Sequence, residues 1–223
     1  MIKEKLGQNL DEWIHRAFPF LFRRPIDPDL LTLFGTVVSL GAAWAFSLGQ
    51  FRLAALVMLA GGFFDLVDGV VARHFGTSTS FGAFLDSTLD RVVDMGLMLG
   101  LIFYYGSTDE IVPQLLSAIV LVASVVTSYA KARAELLVPH LPGGLLERGE
   151  RVGILAAGAV FGIMVPALWV LAAGTSFTAA QRVAAARREL ARVDDSARSP
   201  ATSHRAGAPG KEGDRECPTN PSC

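Results

Sequence analysis

Cysteine is nearly absent from this chain: Cys217 and Cys223 are the only two in 223 residues, and both fall in the last seven. Neither lies near a packed region, so neither a disulfide framework nor a cysteine-built zinc centre is expected. Charge is sparse too. Asp, Glu, Lys and Arg make up 18% of the residues, and the formal net charge is only −1. The first 25 residues have no central apolar run ending in small residues, so they do not read as a cleavable signal. Leu10, Ile14, Ala17, Phe18 and Leu21, with Trp13, instead carry the spacing of a helix lying along a membrane surface.

Apolar residues are plentiful: 51% of the chain is hydrophobic and the mean hydropathy is +0.41. That balance suits an all-α, polytopic integral membrane protein. A span needs about 20 helical residues, and six candidates follow: 30–48, 52–73, 82–105, 111–136, 151–164 and 166–187. The fifth is short, and Pro166 is expected to separate it from the sixth. Of the 20 Lys and Arg residues, 18 fall on one side of this arrangement, while the opposite loop 106–110 has none. The positive-inside rule then sets both termini on the cytoplasmic side of the cell membrane. Residues 26–190 form the membrane domain. From Ala191 to Cys223 the composition turns to Ser, Ala, Pro, Gly and charge, as in a disordered cytoplasmic tail. G-x-x-x-G pairs at Gly96/Gly100 and Gly158/Gly162 permit close helix contact.

Against this apolar background stands DLVDGVVARHFGTSTSFGAFLDSTLDRVVD, residues 65–94. Asp65 and Asp68 are three apart at the end of the second span; Asp86 and Asp90 are four apart at the start of the third. Each pair shares a helix face, and a hairpin brings the two faces together. Four carboxylates at one level repel each other, and a divalent cation with a preference for oxygen ligands, Mg²⁺ or Mn²⁺, removes the conflict. Gly69, Ala72 and Gly82 leave room beside the acids. Arg73 offers a fixed charge to phosphate oxygens, and HFGTSTS offers hydroxyls and backbone N–H groups. Metal, arginine and a polar loop suit diphosphate chemistry. Structural ion pairing alone is a poor reading, because Arg73 and Arg91 cannot neutralise four acids. A divalent-cation transporter is the competitor from another class, although it does not require Gly69, Ala72 and Arg73. Asp94, one turn beyond Asp90, extends the same face toward Arg91 or Lys131 and is given no catalytic role.

The pattern Asp65-x₂-Asp68-Gly69-x₂-Ala72-Arg73-x₈-Gly82-x₃-Asp86-x₃-Asp90 resembles the signature of the CDP-alcohol phosphatidyltransferases, over about residues 28–182. The resemblance implies six transmembrane helices, a homodimer and an active site open to the cytoplasm. It implies metal binding by Asp65, Asp68, Asp86 and Asp90, with Asp90 also the general base. It further implies that Asp29, Thr32, Gly69, Arg73 and Thr79 hold CDP-diacylglycerol, and that membrane lipids, not nucleic acid, are the partners.

The second half carries Lys131, Arg148, Arg151 and Arg182 at the same helix ends, which suggests an anionic acceptor. The segments KARAE, ERGER and QR resemble those of the family's phosphatidylinositol-phosphate synthases, in which Lys131, Arg151, Arg182 and, more weakly, Arg148 would hold the acceptor phosphate. Transfer of a phosphatidyl group to inositol phosphate, with release of CMP, is the expected reaction. Another polar alcohol, such as glycerol 3-phosphate in the family's phosphatidylglycerophosphate synthases, is the alternative.

Overall fold

A computed structural model describes residues 28–76, 79–138 and 144–198. The expected surface helix at 1–25, and residues 199–223 of the expected tail, lie outside the described residues. Every regular element among the described residues is an α-helix: α1 Pro28–Ser47, α2 Phe51–Phe75, α3 Ser80–Ser107, α4 Ile111–Glu135, α5 Arg148–Phe161 and α6 Met164–Arg198. Three of them, over Asp29–Ser47, Phe51–Val71 and Ile111–Glu135, are long and apolar enough to cross a membrane. Large apolar side chains, among them Leu56, Phe103 and Trp169, face outward, while Phe46, Leu97, Leu101, Leu168 and Leu171 fill the inside. An apolar exterior around an apolar core is the pattern of a chain solvated by lipid, and the chain is a multi-pass membrane protein.

Successive helices run antiparallel across the bundle. The ends of α2, α4 and α6 therefore gather with the starts of α1, α3 and α5. The packing order is not the chain order: α1 rests on α2 and α3, α3 on α4, α4 on α6, and α5 on both α6 and α2. Small residues let the backbones meet. A Cβ on Gly61 would lie 3.1 Å from the carbonyl oxygen of Gly35, and one on Gly100 would press into the carbonyl of Ala43. Gly96 faces Leu40 in the same seam, so the Gly96/Gly100 pair does line a close helix contact.

The Gly158/Gly162 pair divides its work differently. A Cβ on Gly158 would lie 2.6 Å from that of Ala167 on α6. Gly162 instead ends α5 in the left-handed region, φ 71°, and Ile163 N–H bonds the carbonyl of Gly158 at 2.9 Å. This glycine stop, rather than Pro166, separates the last two helices. Pro166 sits in the first turn of α6, where its missing N–H has no helical partner to lose.

The sixth helix also corrects the expected tail. It runs to Arg198, eight residues past the expected boundary at Ala191. Ala and Arg in this stretch are strong helix formers, Arg192 pairs with Glu189 one turn earlier at 2.7 Å, and just before the stretch Ala186 and Leu190 pack on Ala134 and Val138 at the end of α4. Composition suggested disorder because this stretch is charged; its spacing nevertheless gives a helical surface.

The glycine seam predicts that Gly100→Ala lowers stability by about 1–3 kcal/mol through overpacking. Gly153 in α5 has no atom near an added Cβ, so Gly153→Ala is expected to be neutral or to stabilise by up to about 1 kcal/mol. Thermal unfolding in detergent separates the two; equal melting temperatures would contradict the seam.

Candidate active site

The close α1–α2 crossing at Gly35 and Gly61 sets the start of α1 beside the acids of α2. Thr32 Oγ1 donates to Asp68 Oδ2 at 2.5 Å, and Asp68 is only 6% exposed. Sequence reasoning placed Thr32 with the nucleotide but had no signal for this bond, which joins residues 36 apart. Asp29, in the first turn of α1, lies against Gly82: a Cβ there would be 2.9 Å from Asp29 Oδ1. Thr79 is the N-cap of α3, and its hydroxyl accepts the Gly82 N–H at 2.9 Å. Asp29 and Thr79, singled out by the resemblance, and Gly82 of the signature therefore stand together. Gly69 follows Asp68 on α2; Arg73 lies on the last turns of that helix, and its side chain is outside the described residues.

Asp65, Asp68 and Asp86 each turn a carboxylate oxygen to one point, with all three oxygens within 4.8 Å of one another. A cluster of hard oxygen donors fits Mg²⁺ or Mn²⁺. Asp90, one turn past Asp86, meets Arg148 instead. The guanidinium Nη1 lies 2.7 Å from Asp90 Oδ1 and 2.9 Å from Asp65 Oδ2. Arg148 was expected to face the acceptor; its tip is turned onto the carboxylates. An arginine fork satisfies several acids at once better than a lysine could.

Next to this cluster is a cavity of about 190 Å³ whose walls include Asp90, Lys131, Arg148, Arg151 and Arg182. The four cations singled out in the sequence, from three different helices, thus converge beside Asp90. Arg182 is 6% exposed and its Nε is buried without a hydrogen-bond partner. Leaving a buried donor unmatched is costly unless a ligand supplies the acceptor. Lys131 is half exposed and only loosely paired with Glu135, 3.8 Å away; surface pairs of this kind contribute at most about 1 kcal/mol, so little restrains its ammonium group.

The loop before α5 is tied to α6. Leu146 N–H bonds Thr178 Oγ1 at 3.0 Å, and Leu145 N–H bonds Gln181 Oε1 at 3.3 Å. Gly144 passes Arg182 so closely that an added Cβ would lie 3.3 Å from Nε. These contacts fix where α5 begins, and hence where Arg148 and Arg151 stand.

Asp94 has partners other than those expected. Arg91 bonds back to Ser87 on its own helix, and Lys131 pairs with Glu135. Asp94 instead meets Arg151 at 2.7 Å and Arg148 at 3.5 Å. Both lie more than fifty residues away in sequence, which explains why a reading from local spacing missed them.

The comparisons agree with this geometry. The sequence pattern of the CDP-alcohol phosphatidyltransferase family matches residues 26–184. A phosphatidylinositol phosphate synthase from Streptomyces avermitilis is 40% identical over 204 residues, covering 85% of this chain and 84% of its own. An archaetidylinositol phosphate synthase from Methanothermobacter thermautotrophicus is 34% identical over 190 residues, covering 78% of this chain and 95% of its own. The crystal structure of the Mycobacterium tuberculosis phosphatidylinositol phosphate synthase with manganese and citrate superposes with a TM-score of 0.69 at 30% identity, over 92% of this chain and 96% of that one. With the acids, the cations and the fold in agreement, this chain belongs to the CDP-alcohol phosphatidyltransferase family.

Proposed function

We propose that this enzyme transfers a phosphatidyl group from CDP-diacylglycerol to inositol phosphate, giving phosphatidylinositol phosphate and CMP. The observation that carries the acceptor is the cavity beside Asp90, lined by Lys131, Arg151 and the buried Arg182, whose Nε has no hydrogen-bond partner. A neutral polyol gives such a pocket no reason to exist; a phosphorylated one does. Relatives named for two different lipid classes share inositol phosphate in their names, which favours it over glycerol 3-phosphate.

On this reading Asp65, Asp68, Asp86 and Asp90 hold Mg²⁺ or Mn²⁺, which when bound neutralises the diphosphate. Asp29, Thr32, Gly69, Arg73 and Thr79 bind the CDP end of the lipid. Lys131, Arg151 and Arg182 hold the acceptor phosphate, with Arg148 steering Asp90 from between the two sites. Asp90 takes the proton of an inositol hydroxyl, and that oxygen bonds to the phosphorus bearing diacylglycerol. The bond from this phosphorus to the bridging oxygen breaks, and CMP leaves with the electron pair. A carboxylate is a weak base, so its contribution comes from placement and orientation.

Six helices cross the membrane, with the site and both termini cytoplasmic, as the basic residues at the site end of the bundle favour. At 14 residues α5 is about 21 Å long, shorter than the roughly 30 Å hydrocarbon core, and it spans only with local thinning or together with its capping turns. A homodimer is the assembly that the family resemblance implies.

Membranes carrying the protein are expected to release CMP when given CDP-diacylglycerol, inositol phosphate and Mg²⁺ or Mn²⁺, and to stop on chelation by EDTA. Turnover of glycerol 3-phosphate but not inositol phosphate would overturn the acceptor. Asp90→Asn is expected to lower kcat by at least about a hundredfold while CDP-diacylglycerol still binds; unchanged kcat would remove Asp90 as the base. Arg182→Ala and Lys131→Ala are expected to raise KM for inositol phosphate, by about tenfold or more for the buried Arg182. KM for the lipid donor is expected to move far less, and equal changes in both constants would count against a separate acceptor pocket.

A further inference from the structure

We propose that Asp94 is a positioning residue for the acceptor: it fixes the Arg151 guanidinium at a set distance from Asp90, and so helps to select a phosphorylated alcohol. The inference rests on the acceptor reading given above. It starts from an alternating chain of charges along one face of α3. Asp94 stands one turn beyond Asp90, so the two carboxylates lie about 6 Å apart along the helix axis. Its Oδ2 accepts from Arg151 Nη2 at 2.7 Å. Its Oδ1 faces Arg148 Nε at 3.5 Å, and Arg148 Nη1 reaches on to Asp90 Oδ1 at 2.7 Å. Arg151, Asp94, Arg148 and Asp90 thus form one row linking the proposed phosphate holder to the proposed base.

What lies beneath the row decides how much depends on Asp94. On its inner side the Asp94–Arg151 pair borders a small void of about 20 Å³, lined mainly by apolar residues such as Leu97, Met98, Val120, Leu155 and Leu171. That space takes about one water molecule, and apart from Asp94 its lining offers a guanidinium only the neutral Ser124 hydroxyl, which brings no compensating charge. The Arg151 side chain is only 11% exposed, so its position is set by the carboxylate it meets. Without Asp94, the guanidinium has to move toward the polar cavity to recover hydrogen bonds, carrying it away from its place relative to Asp90.

The sign of the effect separates positioning from simple charge balance. Asp94 subtracts one positive charge from a cavity meant for an anion. If it acted only as a counter-charge, removing it would tighten acceptor binding. If it positions Arg151, removing it weakens acceptor binding despite the gain in positive charge.

The test compares steady-state kinetics of the full-length protein in membranes, as wild type, Asp94→Asn, Arg151→Ala and the double variant, with inositol phosphate and CDP-diacylglycerol each varied. Asp94→Asn is expected to raise KM for inositol phosphate about tenfold or more, since small misplacements of positioning groups carry large kinetic effects. KM for CDP-diacylglycerol is expected to stay within about twofold, because the acids on α2 and the start of α3 are untouched. In the Arg151→Ala background, Asp94→Asn is expected to add less than about twofold, since the group it positions is gone. An unchanged or lower KM for inositol phosphate, or effects that multiply in the double variant, would overturn the proposal. Should Asp94→Asn fail to accumulate as folded protein, Asp94→Glu carries the test. It keeps the charge but displaces the carboxylate by one methylene, and an unchanged acceptor KM would overturn the proposal equally. A wild-type protein that does not use inositol phosphate refutes the acceptor reading itself, whereas an active wild type with an indifferent Asp94 refutes this inference alone.

Discussion

Repulsion between like charges at short range is the constraint on which this molecule turns. Asp65, Asp68 and Asp86 bring carboxylate oxygens within 4.8 Å of one another, and Asp90 follows one turn later. Two such charges 4 Å apart repel by about 4 kcal/mol in a partly polar protein environment. The surrounding architecture answers that repulsion. Thr32 on α1 donates a hydroxyl to Asp68, and Arg148 on α5 inserts a guanidinium between Asp65 and Asp90. The donor set also fits a hard divalent cation. Acids on α2 and α3 thus hold Arg148 at the start of α5, whose position is also fixed by the loop contacts to α6.

Helix association in lipid cannot draw on the hydrophobic effect, because lipid tails are as apolar as the side chains they would replace. Close packing and polar contacts supply the attraction instead. The glycines at 35, 61, 96 and 100 let α1 approach α2 and α3 almost backbone to backbone, and that approach brings Thr32 within reach of Asp68. Across the bundle, Thr178 and Gln181 of α6 bond the loop before α5. The first set of contacts places the acids; the second places the arginines that face them.

Local spacing made the helices, the four signature acids and the four cations legible in the sequence, because helical periodicity and charge distribution are properties of neighbouring residues. Pairings between distant residues were not legible. Asp94 reads as an extension of the acidic face until α5 arrives with Arg151, 57 positions later. Arg148 has the same composition signal as Arg151, yet one turns to the acids and the other to Asp94, a distinction set by where α5 starts. The end of α6 was misjudged because its charged residues resemble a tail, yet the helix that packs on Ala134 and Val138 through Ala186 and Leu190 runs on unbroken to Arg198. The break before α6 was assigned to Pro166 rather than Gly162, because proline's reputation as a breaker depends on position and its first-turn placement here is harmless.

The helices also divide the proposed chemistry. Every acid of the cluster, and Thr32 beside it, comes from α1, α2 or α3. The cations around the cavity come from α4, α5 and α6, with Lys131 on the first, Arg148 and Arg151 on the second and Arg182 on the third. On the proposed reading, the first three helices bind the nucleotide-activated lipid and the last three bind the alcohol that attacks it. The two halves meet along one face of α3, where Asp86, Asp90 and Asp94 stand at successive turns; on the proposed reading these are an acid for the metal, the base, and the anchor of an acceptor arginine. A rigid helix holds those three stations at fixed intervals of about 6 Å, and Arg148, which meets Asp65 and Asp90 as well as Asp94, ties the two halves together. On the proposed reading, the donor and acceptor sites therefore share one charged row, and a change in the second half of the chain is felt at the acids.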